Sequence, residues 1–224
     1  MIPWKQLDSA DIPNDGGQLH LFQRAEEFSI RIDHCELMNS RAHGSEEKLA
    51  ELGCAGLGTV ERPRVLVGGL GMGFTAAEAL RHLGVNASLE VAELLSAVVR
   101  WNREYLGHLA GHPLKDPRTQ IREIDVAAII KTSPQRFDAI LLDVDNGPDG
   151  LTQKENDWLY SDAGLKTSYQ ALKPGGVLAV WSAAPSTAFT GRLRKAGYKV
   201  REEQTRARGK SKGGRHTIWL AVRP

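Results

Sequence analysis

The chain is short of cysteine and has no long apolar run, and each shortage excludes a class of protein. Cys35 and Cys54 are the only cysteines, too few for a disulfide framework and without the grouped Cys or His spacing of a zinc site. No apolar stretch reaches the roughly 18 residues that a bilayer span needs, and residues 1–13 lack the basic start and apolar run of a signal peptide. We therefore expect a soluble cytoplasmic protein with reduced thiols, no membrane contact and no bound metal.

The charges are distributed unevenly along the 224 residues. The net charge is +2, but the segment from Arg192 to Pro224 holds eleven Lys or Arg against two Glu, so the first 191 residues carry a net charge of −7. An acidic body suits a cationic small ligand, whereas the basic tail suits nucleic acid, an acidic protein surface or simply a solvated loop. No aromatic residue interleaves the basic ones between Lys199 and His216, as a stacking platform for nucleic acid needs. We therefore favour the solvated loop.

The apolar pattern predicts two units. Residues 18–39 alternate apolar and polar positions at hairpin spacing, which predicts a small antiparallel β unit. From Arg64 onward, short β-branched runs alternate with helical segments, which predicts parallel strands joined by crossovers. The last two runs, YKVREEQ and HTIWLAV, have no helix between them and predict an antiparallel hairpin. The expected fold is α/β: an N-terminal β-strand unit over 1–45, then a Rossmann-like doubly wound sheet over 46–224 that ends in the hairpin.

A glycine-rich turn follows the first strand of the predicted sheet. In an open α/β sheet, ligands bind beyond the carboxyl ends of the strands near the point where strand order reverses. The turn runs from Gly68 to Gly73 and leads into a helix. Glycines let the backbone approach a ligand, and the amides at the helix start face it. Gly69, Gly71 and Gly73 are therefore predicted to contact a cofactor, although tight packing of strand on helix would also explain them.

Acidic residues follow the next two strands. Glu93 lies twenty residues beyond Gly73, where a carboxylate can accept both ribose hydroxyls of a nucleoside. Glu90 is its rival, but by alternation it lies on the strand and faces another side. Asp125 opens the segment VAAIIK, where it serves either as a helix N-cap or as the acceptor of a hydrogen bond from an adenine amino group. Both roles stay open.

The loop after the fourth strand, residues 143–150, is the most polar one at the predicted pocket. It includes Asp143 and Asp145, which are candidates for orienting or deprotonating a substrate, although turn formation alone also favours Asp, Asn, Gly and Pro. The turn further satisfies a dinucleotide fingerprint, since residues 71–76 read G-x-G-x-x-A with an acid twenty residues later. A nicotinamide enzyme is thus an alternative. The closing hairpin and the run LKPGG before the fifth strand argue against it.

Taken together, these segments resemble the S-adenosylmethionine-dependent transferase fold, and within it the spermidine synthase family. The resemblance covers roughly residues 18–185 and is carried by the β unit leading to LMNS, by VLVGGLGMGFT, by ELL at 93–95, by Asp125, by FDAILLD and by LKPGG. It implies a cofactor, either S-adenosylmethionine or its decarboxylated form, held by the glycine turn, Glu93 and Asp125. It also implies a homodimer or higher oligomer.

Three positions depart from the family's pattern. Met72 stands where the family has an Asp that holds the aminopropyl ammonium group, and Asn146 stands where the family has the Asp that helps to deprotonate the attacking amine. His43 stands at the family's Gln. A thioether cannot neutralise an ammonium, and an amide is no general base.

We therefore favour transfer of a methyl group to a small-molecule acceptor, because that chemistry needs little beyond alignment of the reactants. Asp143, Asp145 or His43 would orient or deprotonate the acceptor. Two alternatives stay open: a polyamine aminopropyltransferase with a rearranged site, which would take an amine acceptor, and a nucleoside- or partner-binding module without turnover. Nucleic acid is not an expected partner.

Overall fold

The chain folds as an α/β protein with a small antiparallel sheet followed by a larger, mostly parallel one. The computed structural model describes residues 2–13, 17–144, 147, 157–207 and 213–224. The small sheet has four strands in sequential order, Lys5–Asp11 (β1), Gln18–Arg24 (β2), Glu27–Ile32 (β3) and Cys35–Asn39 (β4). The sequence predicted β2 to β4. It missed β1, because this edge strand, KQLDSAD, is partly or fully exposed throughout and carries no apolar alternation.

The small sheet packs directly on the rest of the chain. Leu21 and Ile30 oppose each other across β2 and β3 and are buried in the same core as residues of the large sheet. Asp8 of β1 also accepts hydrogen bonds from Arg100 and from the indole of Trp101. The β unit therefore packs against the main domain. The division at residue 45 and the homodimer stay predictions.

The large sheet has seven strands in the order β10-β11-β9-β8-β5-β6-β7. Strands β5 to β9 run parallel, and β11 and β10 pair antiparallel at one edge. This arrangement confirms the predicted doubly wound sheet with its closing hairpin. The strands are Arg64–Gly68 (β5), Ser88–Ala92 (β6), Thr119–Arg122 (β7), Phe137–Leu142 (β8), Leu172–Ser182 (β9), Lys199–Arg206 (β10) and Arg215–Val222 (β11).

Helices cover both faces of the large sheet, so its central strands are apolar on both sides. In β5, Val65 and Val67 belong to the core beneath the small sheet, while Leu66 belongs to the core on the opposite face. In the described ranges, no helix is both long and apolar enough to cross a membrane. The helices are Gly44–Cys54 (α1), Phe74–Arg81 (α2), Ser96–Trp101 (α3), Val126–Lys131 (α4), Asp157–Tyr160 (α5), Asp162–Ala171 (α6) and Thr187–Lys195 (α7).

The helix predicted after β6 is interrupted. It begins as α3, widens into a π-helical turn over Asn102–Leu106 and tightens into a 3-10 turn over Gly107–Ala110. The side-chain amide of Asn102 explains the change, because it donates to the carbonyl of Val98 inside the helix and to that of Gly71 outside it. Through Asn102, the π-helical turn is therefore hydrogen-bonded to the glycine-rich turn.

Strand order reverses at β5, which pairs with β6 on one side and β8 on the other. The segments that follow β5, β6, β7 and β8 consequently converge at one edge of the sheet. This edge is where a ligand site is expected in an open α/β fold.

Candidate active site

A cavity of about 450 Å³ opens at this edge, between the large sheet and the small one. Its walls come from the turns after β5 to β8, from the inner side of β2 to β4 and from the first turn of α1. Five carboxylate side chains line it, together with one histidine, His216, and no lysine or arginine lines it in the part of the chain that the structure describes. The five are Glu36, Glu46, Glu93, Asp125 and Asp143. This lining favours a cationic ligand.

Two of the three predicted glycines line the cavity. Gly69 and Gly71 both have positive φ, +88° and +51°, which a side chain rarely tolerates. A Cβ on Gly69 would lie 2.4 Å from the carbonyl oxygen of Asp143, and one on Gly71 would lie 3.0 Å from Cε of Met38. Glycine is therefore needed at both positions to bring the backbone of the turn to the cavity wall.

Gly73 differs from the other two glycines. It also has a positive φ, +88°, but a Cβ there would meet Pro113 and Asn102, and the residue does not line the cavity. Its role is the packing of the turn against the segment after α3. The prediction that Gly73 contacts a cofactor gains no support from its position.

Glu93 lies in the cavity wall and anchors the glycine turn. Its Oε2 accepts a hydrogen bond from the backbone N–H of Leu70 at 2.9 Å, and its Oε1 accepts one from Leu95 at 2.9 Å. Burial raises the pKa of this carboxyl, and the surrounding backbone N–H groups partly offset the rise. These groups include the N–H groups of Gly71 and Leu94. The predicted acceptance of ribose hydroxyls stays a prediction. The rival Glu90 faces away, paired with Arg136.

Asp125 is the N-cap of α4, since its side chain accepts a hydrogen bond from the N–H of Ala127 at 2.8 Å. It also lines the cavity. The capping role is thereby confirmed, and the contact with an adenine amino group stays a prediction.

Asp143 stands at the end of β8 and faces the cavity. Its Oδ2 accepts a 2.5 Å hydrogen bond from the hydroxyl of Thr75, at the start of α2. Burial raises its pKa to about 6, a value that suits proton exchange near neutral pH. Asp145 and Asn146 lie outside the described residues.

Two other predicted positions do not reach the cavity. The ring of His43 stacks on Phe74, with centroids 4.1 Å apart, and its Nδ1 lies 3.0 Å from Glu47. His43 is absent from the cavity wall, so its proposed catalytic role gains no support. Met72 is buried among core residues and is likewise absent from the wall. The side chain of Met72 therefore packs in the core, and the consequence of having Met72 where the family has an Asp stays a prediction.

Sequence reasoning missed several residues of the wall. Glu46 lies in the first turn of α1, a helix that was not predicted, and Trp181 lies at the end of β9. Oε2 of Glu46 and Nε1 of Trp181 are buried, and neither has a hydrogen-bond partner among the described residues. His216 of β11 also lines the cavity and bonds Ser45 at 2.8 Å. The only feature of the sequence that could have indicated Glu46 is the pair of adjacent acids in GSEEKL. Such a pair is equally typical of the first turn of a helix.

Apolar side chains stand exposed at the same cavity. Leu37, Leu94 and Ile124 are among the few large hydrophobic residues that the fold leaves open to solvent, and all three line the cavity. Across the described ranges, no three His, Cys, Asp or Glu side chains form a group that could hold a metal ion.

Known proteins match the sequence over this region. A family model described as the spermine/spermidine synthase domain matches residues 44–188. Polyamine aminopropyltransferase 2 of Pseudomonas aeruginosa is 32% identical over 125 residues, which cover 54% of this chain and 34% of that protein. Polyamine aminopropyltransferase of Prochlorococcus marinus is 30% identical over 124 residues, which cover 55% of this chain and 41% of that protein. The matched part therefore spans less than half the length of these relatives.

Solved structures resemble the fold over almost the whole of this chain. Spermidine synthase from Thermotoga maritima superposes with a TM-score of 0.77 at 18% identity and covers 98% of this chain and 73% of its own. A spermidine synthase solved with the transition state analogue AdoDATO has a TM-score of 0.75 at 18% identity, covering 98% and 72%. At these identities the likeness concerns the fold. Since the family model covers more than half of the residues, the chain belongs to the spermine/spermidine synthase family.

Proposed function

We propose that the protein transfers an aminopropyl group from decarboxylated S-adenosylmethionine to a small amine. The observation that carries this proposal is the acidic cavity, whose described wall has five carboxylates and no lysine or arginine. Both proposed substrates are cationic. The carboxylate of S-adenosylmethionine itself would find no cationic side chain among the described wall residues, and like charges in a partly dry site cost several kcal/mol.

This choice reverses the preference for methyl transfer that the sequence alone favoured. That preference depended on Met72 and Asn146 standing where the family has carboxylates. Met72 is buried in the core, and Asn146 lies outside the described residues, so our choice depends on the carboxylates of the described cavity wall. The curated relatives are polyamine aminopropyltransferases, which favours the alternative. A binding module without turnover is less well supported, because a buried carboxylate with a raised pKa, Asp143, lines the cavity.

The wall residues fit a nucleoside that carries a positive charge. Glu93 and Asp125 place carboxylate acceptors in the wall for hydroxyl and amino groups, and the exposed Leu94 and Ile124 offer apolar surface for a base. The unpartnered Oε2 of Glu46 and Nε1 of Trp181 are further polar atoms for a ligand to satisfy. When bound, the sulfonium makes the adjacent aminopropyl carbon electrophilic and departs as a neutral thioether.

Asp143 is the proposed general base. An amine attacks only in its neutral form, so a proton must leave it before or during attack. Asp143, with a pKa of about 6, is largely charged at neutral pH and accepts that proton, while the hydroxyl of Thr75 holds its Oδ2. Asp145 stays a second candidate for this role.

The test is product analysis. The protein is incubated with decarboxylated S-adenosylmethionine and a series of amines that includes 1,4-diaminobutane, and mass spectrometry follows the aminopropylated amine and 5′-methylthioadenosine. We expect the two products in equal amounts. The appearance of methylated amine from S-adenosylmethionine, without aminopropyl transfer, would contradict the proposal.

A further inference from the structure

Glu46 is the one carboxylate of the cavity wall with a buried oxygen that finds no partner among the described residues. It stands in the first turn of α1, whose N-terminus is held to the closing hairpin by a bond from the N–H of Gly44 to the carbonyl of Ala207. Asp143, at the end of β8, lines the same cavity. A buried charge without a partner is costly, so the carboxylate is expected either to hold a proton or to face a positive ligand.

The surroundings of Glu46 favour the proton in the free protein. Burial raises the pKa of Glu46 well above its usual range, and the charges of Asp143 and then Glu47 raise it further. Burial likewise raises the pKa of Asp143 to about 6. Two carboxylates that repel each other in one cavity do not both ionise easily, which favours a single proton on the pair in the free protein.

No described cation of the cavity wall relieves this repulsion. The other ionisable groups facing the cavity are Glu36 from β4, Glu93 after β6, Asp125 after β7 and His216 from β11. On α1 itself, His43 and Glu47 pair with each other outside the cavity. Burial lowers the pKa of His216, which favours its neutral form.

We propose that Glu46 selects the charge of the ligand: Glu46 and Asp143 share one proton in the free protein and release it when an ammonium group of the substrate takes its place. This inference rests on the proposed function, because it assigns the ammonium of that substrate to the pair. The step is balanced. A carboxylic O–H gives its proton to solvent, both carboxylates become charged, and the ammonium N–H groups donate to them.

Two consequences separate this role from a structural one. A cationic ligand binds with release of about one proton below the pKa of the pair and binds more tightly as pH rises. A neutral nucleoside without the ammonium group releases none. The matched probes are decarboxylated S-adenosylmethionine and 5′-methylthioadenosine, which lacks both the aminopropyl group and the sulfonium charge.

The experiment is titration calorimetry of the full chain in two buffers of different ionisation enthalpy. We expect wild type to release about one proton on binding the decarboxylated cofactor near pH 6. Glu46→Gln should release much less and bind this probe at least about 10-fold more weakly, as expected for a lost bond to a charged group. Its affinity for 5′-methylthioadenosine should stay unchanged. Glu51→Gln, on the same helix, paired with Lys48 and outside the cavity, should behave as wild type. An equal proton count and affinity in wild type and Glu46→Gln would overturn the inference.

A second measurement does not depend on the ligand. Carbon-13 NMR of the labelled side-chain carboxyls, assigned with Glu46→Gln and Asp143→Asn, follows both groups in the free protein. We expect Glu46 to titrate above the usual range of glutamate and Glu46→Gln to lower the pKa of Asp143. Titration of Glu46 in the usual range would overturn the shared proton. If neither nucleoside binds, the proposed function fails, and the NMR titration alone then decides whether the pair shares its proton.

Discussion

The two sides of the cavity hold their carboxylates differently. On the nucleoside side, defined by Glu93 and Asp125 beyond β6 and β7, each side chain accepts hydrogen bonds from backbone N–H groups. On the acid side, defined by Glu46 and Asp143, the described residues supply only the hydroxyl of Thr75 to Asp143. The nucleoside side is part of the local architecture of turns and helix starts. Among the described residues no cationic side chain neutralises the acid side, which supports our proposal that the chemistry takes place there.

The largest effect is expected from a substitution in the glycine-rich turn, which supports the nucleoside side. Gly71→Val should abolish nucleoside binding and lower the melting temperature, because φ is +51° and the added atoms would meet Met38. Calorimetry with 5′-methylthioadenosine and a thermal melt measure both. Gly191→Val is the control, since a Cβ at this helical glycine meets nothing within 4 Å. A Gly71→Val protein with wild-type affinity would remove the glycine turn from the site.

The next effect is expected on the acid side. Asp143→Asn should lower kcat/KM for aminopropyl transfer by about 10²- to 10⁴-fold, the range for loss of a general base. In wild type, kcat/KM should rise with pH through about 6, because the base works in its charged form. Asp162→Asn, which removes an exposed carboxylate paired with Lys195, is the control. Activity of Asp143→Asn close to that of wild type would transfer the base role to Asp145.

Glu93→Ala should weaken nucleoside binding by about 1.5 to 3 kcal/mol, the cost of lost bonds to a charged group. The variant should also be less stable, because the amides of Leu70 and Leu95 lose their acceptor. Glu123→Ala removes an exposed carboxylate at the same sheet edge and should change neither property. Equal affinity of Glu93→Ala and wild type in calorimetry would confine Glu93 to the support of the turn.

Substitutions on the two sides should also change the stability of the free protein in opposite directions: Glu93→Ala should lower it, and Asp143→Asn should raise it. The pKa of Asp143 is raised from 3.8 to about 6, so between these pH values the folded state binds more protons than the unfolded state and loses stability as pH rises. Asp143→Asn removes this loss and should stabilise the free protein at pH 8 by about 1 to 3 kcal/mol, with a smaller gain at pH 5. Urea unfolding at both pH values measures it. Destabilisation at pH 8 would show that Asp143 supports the fold.

The residues of the nucleoside side could be predicted from the sequence. Of the acid side, the sequence predicted Asp143 but not Glu46. Gly69, Gly71, Glu93 and Asp125 follow strands at spacings that turn geometry dictates, so pattern and position agree. Asp143 was found for the same reason.

Glu46 was missed because its place in the cavity depends on how α1, the small sheet and β8 pack together, which no local pattern encodes. The burial of Met72 was not predicted, because a sequence alignment does not show which way a side chain leaves a turn. The wide turn at Asn102 was missed because its cause is a hydrogen bond to the distant Gly71.

The central claim is that the acid side accepts a cation, and a comparison of two cofactors tests it most directly. Calorimetry at pH 7.5 compares the Kd of decarboxylated S-adenosylmethionine with that of S-adenosylmethionine, which differ by one carboxylate. The account predicts that the decarboxylated form binds at least about 10-fold more tightly, because the described wall carries five carboxylates and no basic side chain. Equal or tighter binding of S-adenosylmethionine would contradict it and restore methyl transfer as the leading function.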